Sequence, residues 1–193
     1  MRAERLQQRQ EARRAALLET GIELLGHPEG PTVTLRAVCS AAGLTQRYFY
    51  ESFTDRDAYV QAVFDHVASQ AITVILHAYT SAAGDLSSRT HAVIEAFTKM
   101  IIDHPAAGRV LVLAPFTEPA LGRSGLGRVP EFVDLVADRF DAYGETDDRR
   151  TAAVAAIGAL SSLYASYLDG TLTISRDKLV SACVKSVLDA GRP

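Results

Sequence analysis

The sequence has 193 residues, 48% hydrophobic and 22% charged, with a formal net charge of −3; this excludes wholesale disorder and supplies apolar material for a real core. The net charge does not mark a nucleic-acid binder, although Arg2, Arg5, Arg9, Arg13 and Arg14 outnumber Glu4 and Glu11 at the start. Cys39 and Cys183 stand far apart without CxxC or metal-ligand spacing, no apolar stretch follows the basic start, and no uninterrupted apolar run reaches the roughly 18 residues of a membrane span; the expectation is a cytoplasmic protein with two reduced thiols and no membrane partner.

Apolar residues recur at helical rather than alternating spacing, so the fold class is all-α. A first helix is expected from about Arg5 to Leu25, with Leu17, Leu18, Ile22 and Leu25 as its stripe. Gly26, Pro28, Gly30 and Pro31 end it. Thr34 can cap a short helix that stops at Gly43, and Thr45 can cap a third that closes at Phe53. Asp55 caps a long helix to about Thr80. Further helices are expected over Ser88–Asp103, Ala106–Ala114, Pro130–Tyr143, Asp147–Leu168 and Arg176–Ala190, with residues 115–130 a loop holding one turn of helix. The composition shift divides the chain into residues 1–55, a three-helix helix-turn-helix unit, and residues 56–193, a larger helical unit.

Two short helices joined through Gly43, each with a cap at its start, form a helix-turn-helix, whose second helix enters the DNA major groove. Leu35, Val38, Leu44, Phe49 and Phe53 supply its core, and Cys39, Ala41 and Ala42 are small enough for close helix packing. Arg47 can donate two hydrogen bonds to guanine, and Gln46 can pair bidentately with adenine. Tyr48 and Tyr50 offer hydroxyls and rings to phosphate and thymine methyl. Thr34, Arg36 and Thr45, near helix starts, and Arg56, opening the next helix, can reach phosphates. The basic start reads better as a solvated extension of the first helix than as a minor-groove arm.

The leucine-bearing first helix, Thr34 to Val38, Ala42-Gly43-Leu44-Thr45 and the run Tyr48-Phe49-Tyr50-Glu51-Ser52-Phe53-Thr54-Asp55-Arg56-Asp57-Ala58-Tyr59 resemble the TetR-type (tetracycline-repressor-like) regulators. The resemblance covers roughly residues 10 to 65. It departs from the family pattern at Arg56, where Lys is usual, at Tyr48, where a small residue is usual, and at Tyr59, where Leu is usual. It implies a transcriptional regulator, usually a repressor, that binds a palindromic DNA operator as a homodimer and responds to a small-molecule effector. The last two long helices fit the pairing role: Ala152, Ala153, Ala155, Ala156, Gly158 and Ala159 permit close approach, and Leu179, Val180, Cys183, Val184, Val187 and Leu188 supply apolar area. The candidate effector residues are Leu76, His77, Tyr79, Phe97, Met100, Ile101, Phe116 and Tyr164, mostly apolar with occasional polar groups. The resemblance also implies that an effector would shift the helix starting at Asp55 and so respace the two recognition helices.

An enzyme is the rival class. There is no HExxH, GxSxG or P-loop, and His66 and His77 would stand about three turns and roughly 16 Å apart on one helix. The sequence therefore nominates no catalytic residue, metal site or cofactor. A helical interaction module that has lost its operator is the other alternative.

Overall fold

The computed structural model describes residues 2–30, 33–122, 129–139 and 146–191, and among these the chain is all-α, with no strand. The helices are α1 (Arg2–Leu25), α2 (Leu35–Ala42), α3 (Gln46–Ser52), α4 (Arg56–Ser81), α5 (Leu86–Asp103), α6 (Pro105–Val112), α7 (Ala114–Thr117), α8 (Pro119–Gly122), α9 (Val129–Ala137), α10 (Thr146–Leu168) and α11 (Arg176–Ala190).

Short polar residues set most of these boundaries. The hydroxyl of Thr34 accepts from the amide of Ala37 at 3.1 Å. Asp55 accepts from Ala58 at 2.8 Å, Asp85 from Ser88 at 2.9 Å, and Ser175 from Lys178 at 3.3 Å. Asp85 explains why α5 opens at Leu86 rather than at Ser88. Gly43 adopts φ 63°, and its N–H turns back onto the carbonyls of Cys39 and Ser40 to close α2. Thr45 departs from expectation: it stands at the cap position of α3, but its side chain makes no capping hydrogen bond. The helix is held instead by its packed aromatic face.

The 115–130 segment holds two short helices, α7 and α8, rather than one turn; residues 123–128 lie outside the described residues. Of the helix expected over 130–143, α9 accounts for the part up to Ala137; residues 140–143 also lie outside them. Helix α1 is continuous from Arg2, so the basic start extends the first helix.

Leu17, Leu18, Ile22 and Leu25 of α1 bury against Val38, Phe49 and Phe53 and against Tyr59, Val60, Val63 and Val67 of α4. The same cluster continues to Ala107 and Val110 of α6, so packing does not break at residue 55. A second cluster joins Ile94, Ile101, Val112, Tyr164, Leu179, Val180 and Cys183. A third, smaller one joins α9 to α10 through Val133, Ala137, Ala153 and Ala156.

The centre of the first cluster is Tyr59. Its ring lies 5.2 Å from that of Phe49 and 5.0 Å from that of Phe53, and its hydroxyl donates to the carbonyl of Leu17 at 2.6 Å. The polar tip thus finds a partner inside the core, as a buried phenol requires. Gly21 makes this possible: a Cβ there would meet the Tyr59 hydroxyl at 2.6 Å and Val63 Cγ2 at 2.4 Å. Gly21→Ala is therefore expected to lower unfolding free energy by about 1–3 kcal/mol through overpacking, more than the gain of up to about 1 kcal/mol in helix propensity. Urea unfolding followed by circular dichroism checks this; an unchanged midpoint would mean the α1–α4 contact yields freely.

Candidate nucleic-acid interface and apolar cavity

Helix α3 is anchored by Phe49, which is 1% exposed, and the opposite side of the helix faces solvent. Gln46, Arg47 and Tyr50 are exposed there, as are Thr34 and Arg36 near the start of α2 and Thr45 before α3. Tyr48 is only half-exposed, because the Arg13 guanidinium lies 4.2 Å over its ring. Arg47 Nε stands 3.1 Å from one oxygen of Glu51, and Arg13 stands 3.6 Å from the other. Such a pair near water is worth little, so Arg47 can leave Glu51 for another acceptor.

Arg56, expected to reach a phosphate, is 40% exposed, but its guanidinium is paired within the chain. Nη1 and Nη2 donate to the two carboxylate oxygens of Glu118 at 3.0 and 2.6 Å, and Nε donates to the carbonyl of Val33 at 2.7 Å. Glu118 is 3% exposed. Burial pushes its carboxyl up, but the hydrogen bonds from Arg56 and from the Ala120 amide, with the Arg56 charge, hold it below the ordinary glutamate range. A lone Glu in a Pro/Gly-rich segment gave no sequence signal of this role, because its partner lies 62 positions away.

A cavity of about 440 Å³ lies among α4 to α11, within the range of small-molecule sites. Its wall is almost wholly apolar. Five of the expected effector residues line it: Leu76, Tyr79, Phe97, Phe116 and Tyr164. Three do not. His77 follows Leu76 by one residue, about 100° around the helix, and is exposed. Met100 and Ile101 fall a turn beyond Phe97, where α5 meets α6 and the core is closed; Ile101 packs beside Gly108.

Wall residues the sequence reading passed over include Phe64, Thr90, Leu160, Ser161 and Arg139. The Phe97 and Tyr164 rings meet edge-on at 5.2 Å. The Tyr164 hydroxyl donates to Thr98 Oγ1 at 2.7 Å, and Thr98 donates on to the Ile94 carbonyl at 2.6 Å. That hydroxyl is therefore already used within the wall. Burial and the neighbouring Cys183 push the Tyr164 phenol far up, so it stays neutral. Among the described residues no group of three or more His, Cys, Asp or Glu side chains is placed to hold a metal ion.

Neither a family model nor a curated protein matches this sequence. Solved structures do. A candidate transcriptional regulator from Pseudomonas aeruginosa PAO1 superposes with a TM-score of 0.73 at 20% identity, over 93% of this chain and 89% of that one. A TetR-like transcriptional regulator from Rhodococcus sp. RHA1 gives 0.70 at 14% identity, over 91% and 93%. The fatty acid degradation regulator FadR from Bacillus halodurans gives 0.72 at 12% identity, over 91% and 94%. The chain has the TetR-type fold. The match spans both the helix-turn-helix and the larger helical region, so the resemblance seen over residues 10 to 65 extends, as a fold, to nearly the whole chain.

Glu118→Gln takes from Arg56 its buried charged partner and leaves only the exposed Asp57 carboxylate, 3.1 Å from Nη1, and the expected loss at neutral pH is about 1–3 kcal/mol. Because the Glu118 pKa is depressed on folding, this contribution is fully present above the ordinary glutamate range near pH 4.3 and is lost as pH falls below it. Denaturant unfolding of both proteins from pH 7 to pH 3 should show the gap closing at the acid end. A gap constant across that range would assign the effect to packing rather than charge.

Proposed function

We propose that this protein is a DNA-binding transcriptional regulator, acting as a homodimer on a palindromic operator and modulated by a small molecule in the apolar cavity. The observation that carries the reading is α3: a short helix anchored by buried Phe49 that presents Gln46, Arg47 and Tyr50 to solvent within a TetR-type fold. In this reading Gln46 and Arg47 contact base edges, and Thr34, Arg36, Thr45, Tyr48 and Tyr50 contact the backbone. Thr45, with no capping bond of its own, has its hydroxyl available for phosphate. In this reading Arg56 serves Glu118 rather than phosphate.

The uncovered side of α10 supports the dimer. Val154 is 55% exposed, and Ala155, Gly158 and Ser162 share its exposure at helical spacing. This helix is long and apolar enough by length and composition to cross a membrane, but it opens on Asp147, Asp148, Arg149 and Arg150 and buries Ala153, Ala156 and Tyr164 within the fold. A two-fold partner covering the exposed stripe accounts for its composition. The protein would then be cytoplasmic, where its DNA partner lies.

Effector coupling would run through residues 114–122. Pro115, Phe116 and Gly122 line the cavity, while Glu118, between them, grips Arg56 at the first residue of α4. Displacement of this segment by a ligand would act on the helix that carries the reading unit. A coupling of about 1–3 kcal/mol is enough for a useful change in DNA affinity.

Selection from a random duplex library tests the proposal: a palindromic motif is expected, with affinity falling steeply as salt rises. Arg47→Ala should cost about 1–3 kcal/mol on the selected site and relax preference at one base pair per half-site. Val154→Glu should convert dimer to monomer in sedimentation and abolish half-site cooperativity. A folded dimer that enriches no motif at low salt would favour a helical interaction module instead.

A further inference from the structure

The cavity wall is apolar except at a few points. Arg139, just after α9, is the only charged side chain lining it among the described residues. Its guanidinium lies 4.5 Å from the centre of the Tyr79 ring, and Arg89 lies 5.1 Å from the same ring. Arg89 is steadied by the carbonyls of Gly84 and Tyr79, at 3.3 and 3.4 Å. Neither arginine pairs with a carboxylate among the described residues. Other cations do: Lys99 pairs with Asp103, Lys185 with Asp189, and Arg150 with Asp134 of α9. Thr90 and Ser161 also line the cavity, and neither hydroxyl makes a hydrogen bond among the described residues. At the opening stand Leu76, Leu86 and Phe116, which are 39%, 42% and 79% exposed. An apolar chamber with an apolar lip thus carries one guanidinium without a carboxylate partner among the described residues, beside an aromatic ring that a second guanidinium also flanks.

We infer that the cavity takes an anionic amphiphile, with an apolar tail among Phe64, Phe97, Leu160 and Tyr164 and a single carboxylate-like head on Arg139. Guanidinium is the side chain suited to such a head, because its planar fork gives a carboxylate or phosphonate two parallel hydrogen bonds. Partial withdrawal from water strengthens that pairing, whereas an ammonium head would be repelled by Arg139 and Arg89. Size bounds the tail: at roughly 30 Å³ per water-sized group, the space holds on the order of fifteen such groups. The inference rests on the effector reading above only for its regulatory meaning; binding itself does not require DNA.

The test is calorimetric titration of the full-length protein, without DNA, with decanoate, decylphosphonate, decanol and decyltrimethylammonium below their micellar concentrations. Decanoate or decylphosphonate is expected to bind at least ten-fold tighter than decanol, with the ammonium weakest; the ratio between the two anions tells a carboxylate head from a phosphorus-centred one. Arg139→Gln should bring the anion-to-decanol ratio close to one and leave decanol binding unchanged, and Arg139→Lys should keep part of the preference. Leu160→Trp, with its fold verified by circular dichroism, should abolish binding of all four by filling the space. The inference is overturned if decanol or the ammonium binds as tightly as the anions, if Arg139→Gln keeps the preference, or if none of the four binds. Adding the anion to the protein on its selected duplex separates the two claims. Anion binding without DNA release would sustain the ligand class and defeat the regulatory coupling.

Discussion

A carboxylate that is 3% exposed stays ionised only where the protein supplies donors in place of water. Glu118 receives both terminal nitrogens of Arg56 and, at 3.3 Å, the amide of Ala120. Arg56 then uses its remaining nitrogen on the Val33 carbonyl. One guanidinium therefore ties together the start of α4, the connection before α2 and the α7–α8 segment. An apolar pair of equal volume would fill the space, but it would not specify which three backbones meet there. That contact helps to fix how the helix-turn-helix unit docks on the rest of the chain.

Helix α4 carries the consequence along its 26 residues, a length of about 39 Å. Its first half, from Tyr59 to Val67, is buried in the core shared with α1 and α3. Its second half gives Ile75, Leu76 and Tyr79 to the cavity. The two regions are thus successive stretches of one helix, clamped at its first residue by Arg56. Gly26 adds a second contact of the helix-turn-helix unit, since a Cβ there would meet the Ala106 carbonyl of α6 at 2.1 Å. A backbone pressed this closely on another has little room to move independently.

The two candidate sites differ in their electrostatics. At α3 the charges are exposed and in easy exchange: Glu51 is shared by Arg47 and Arg13, a loose arrangement that a stronger anion can displace. At the cavity the polar chemistry is sparse. Tyr164 and Thr98 are satisfied within the wall, which leaves Arg139, with the hydroxyls of Thr90 and Ser161, as the polar groups along the cavity. Differential affinity between two states is the only means by which a ligand shifts an equilibrium, and a nearly uniform apolar wall supplies little of it without such a feature.

Local chemistry made much of this legible from the residues alone. Apolar spacing and the caps Thr34, Asp55 and Ser175, with Gly43 as a stop, are short-range signals, so the helices appear close to where they were expected, down to Arg176–Ala190. The solvent-facing residues of α3 were equally readable, since Phe49 and Phe53 define the opposite face. Tertiary structure decided what depends on long-range partners. Arg56 reads as a phosphate contact until Glu118, distant in sequence, is seen to occupy it; Tyr59 reads as an oddity until Gly21 is seen beneath its hydroxyl. For the cavity, helical phase and depth sorted the candidates: Leu76 borders the opening while His77 lies off the wall, and Met100 and Ile101 lie past the point where α6 closes the core. Sequence spacing carries the period of a helix but not its rotation against neighbours, and that rotation is set by packing.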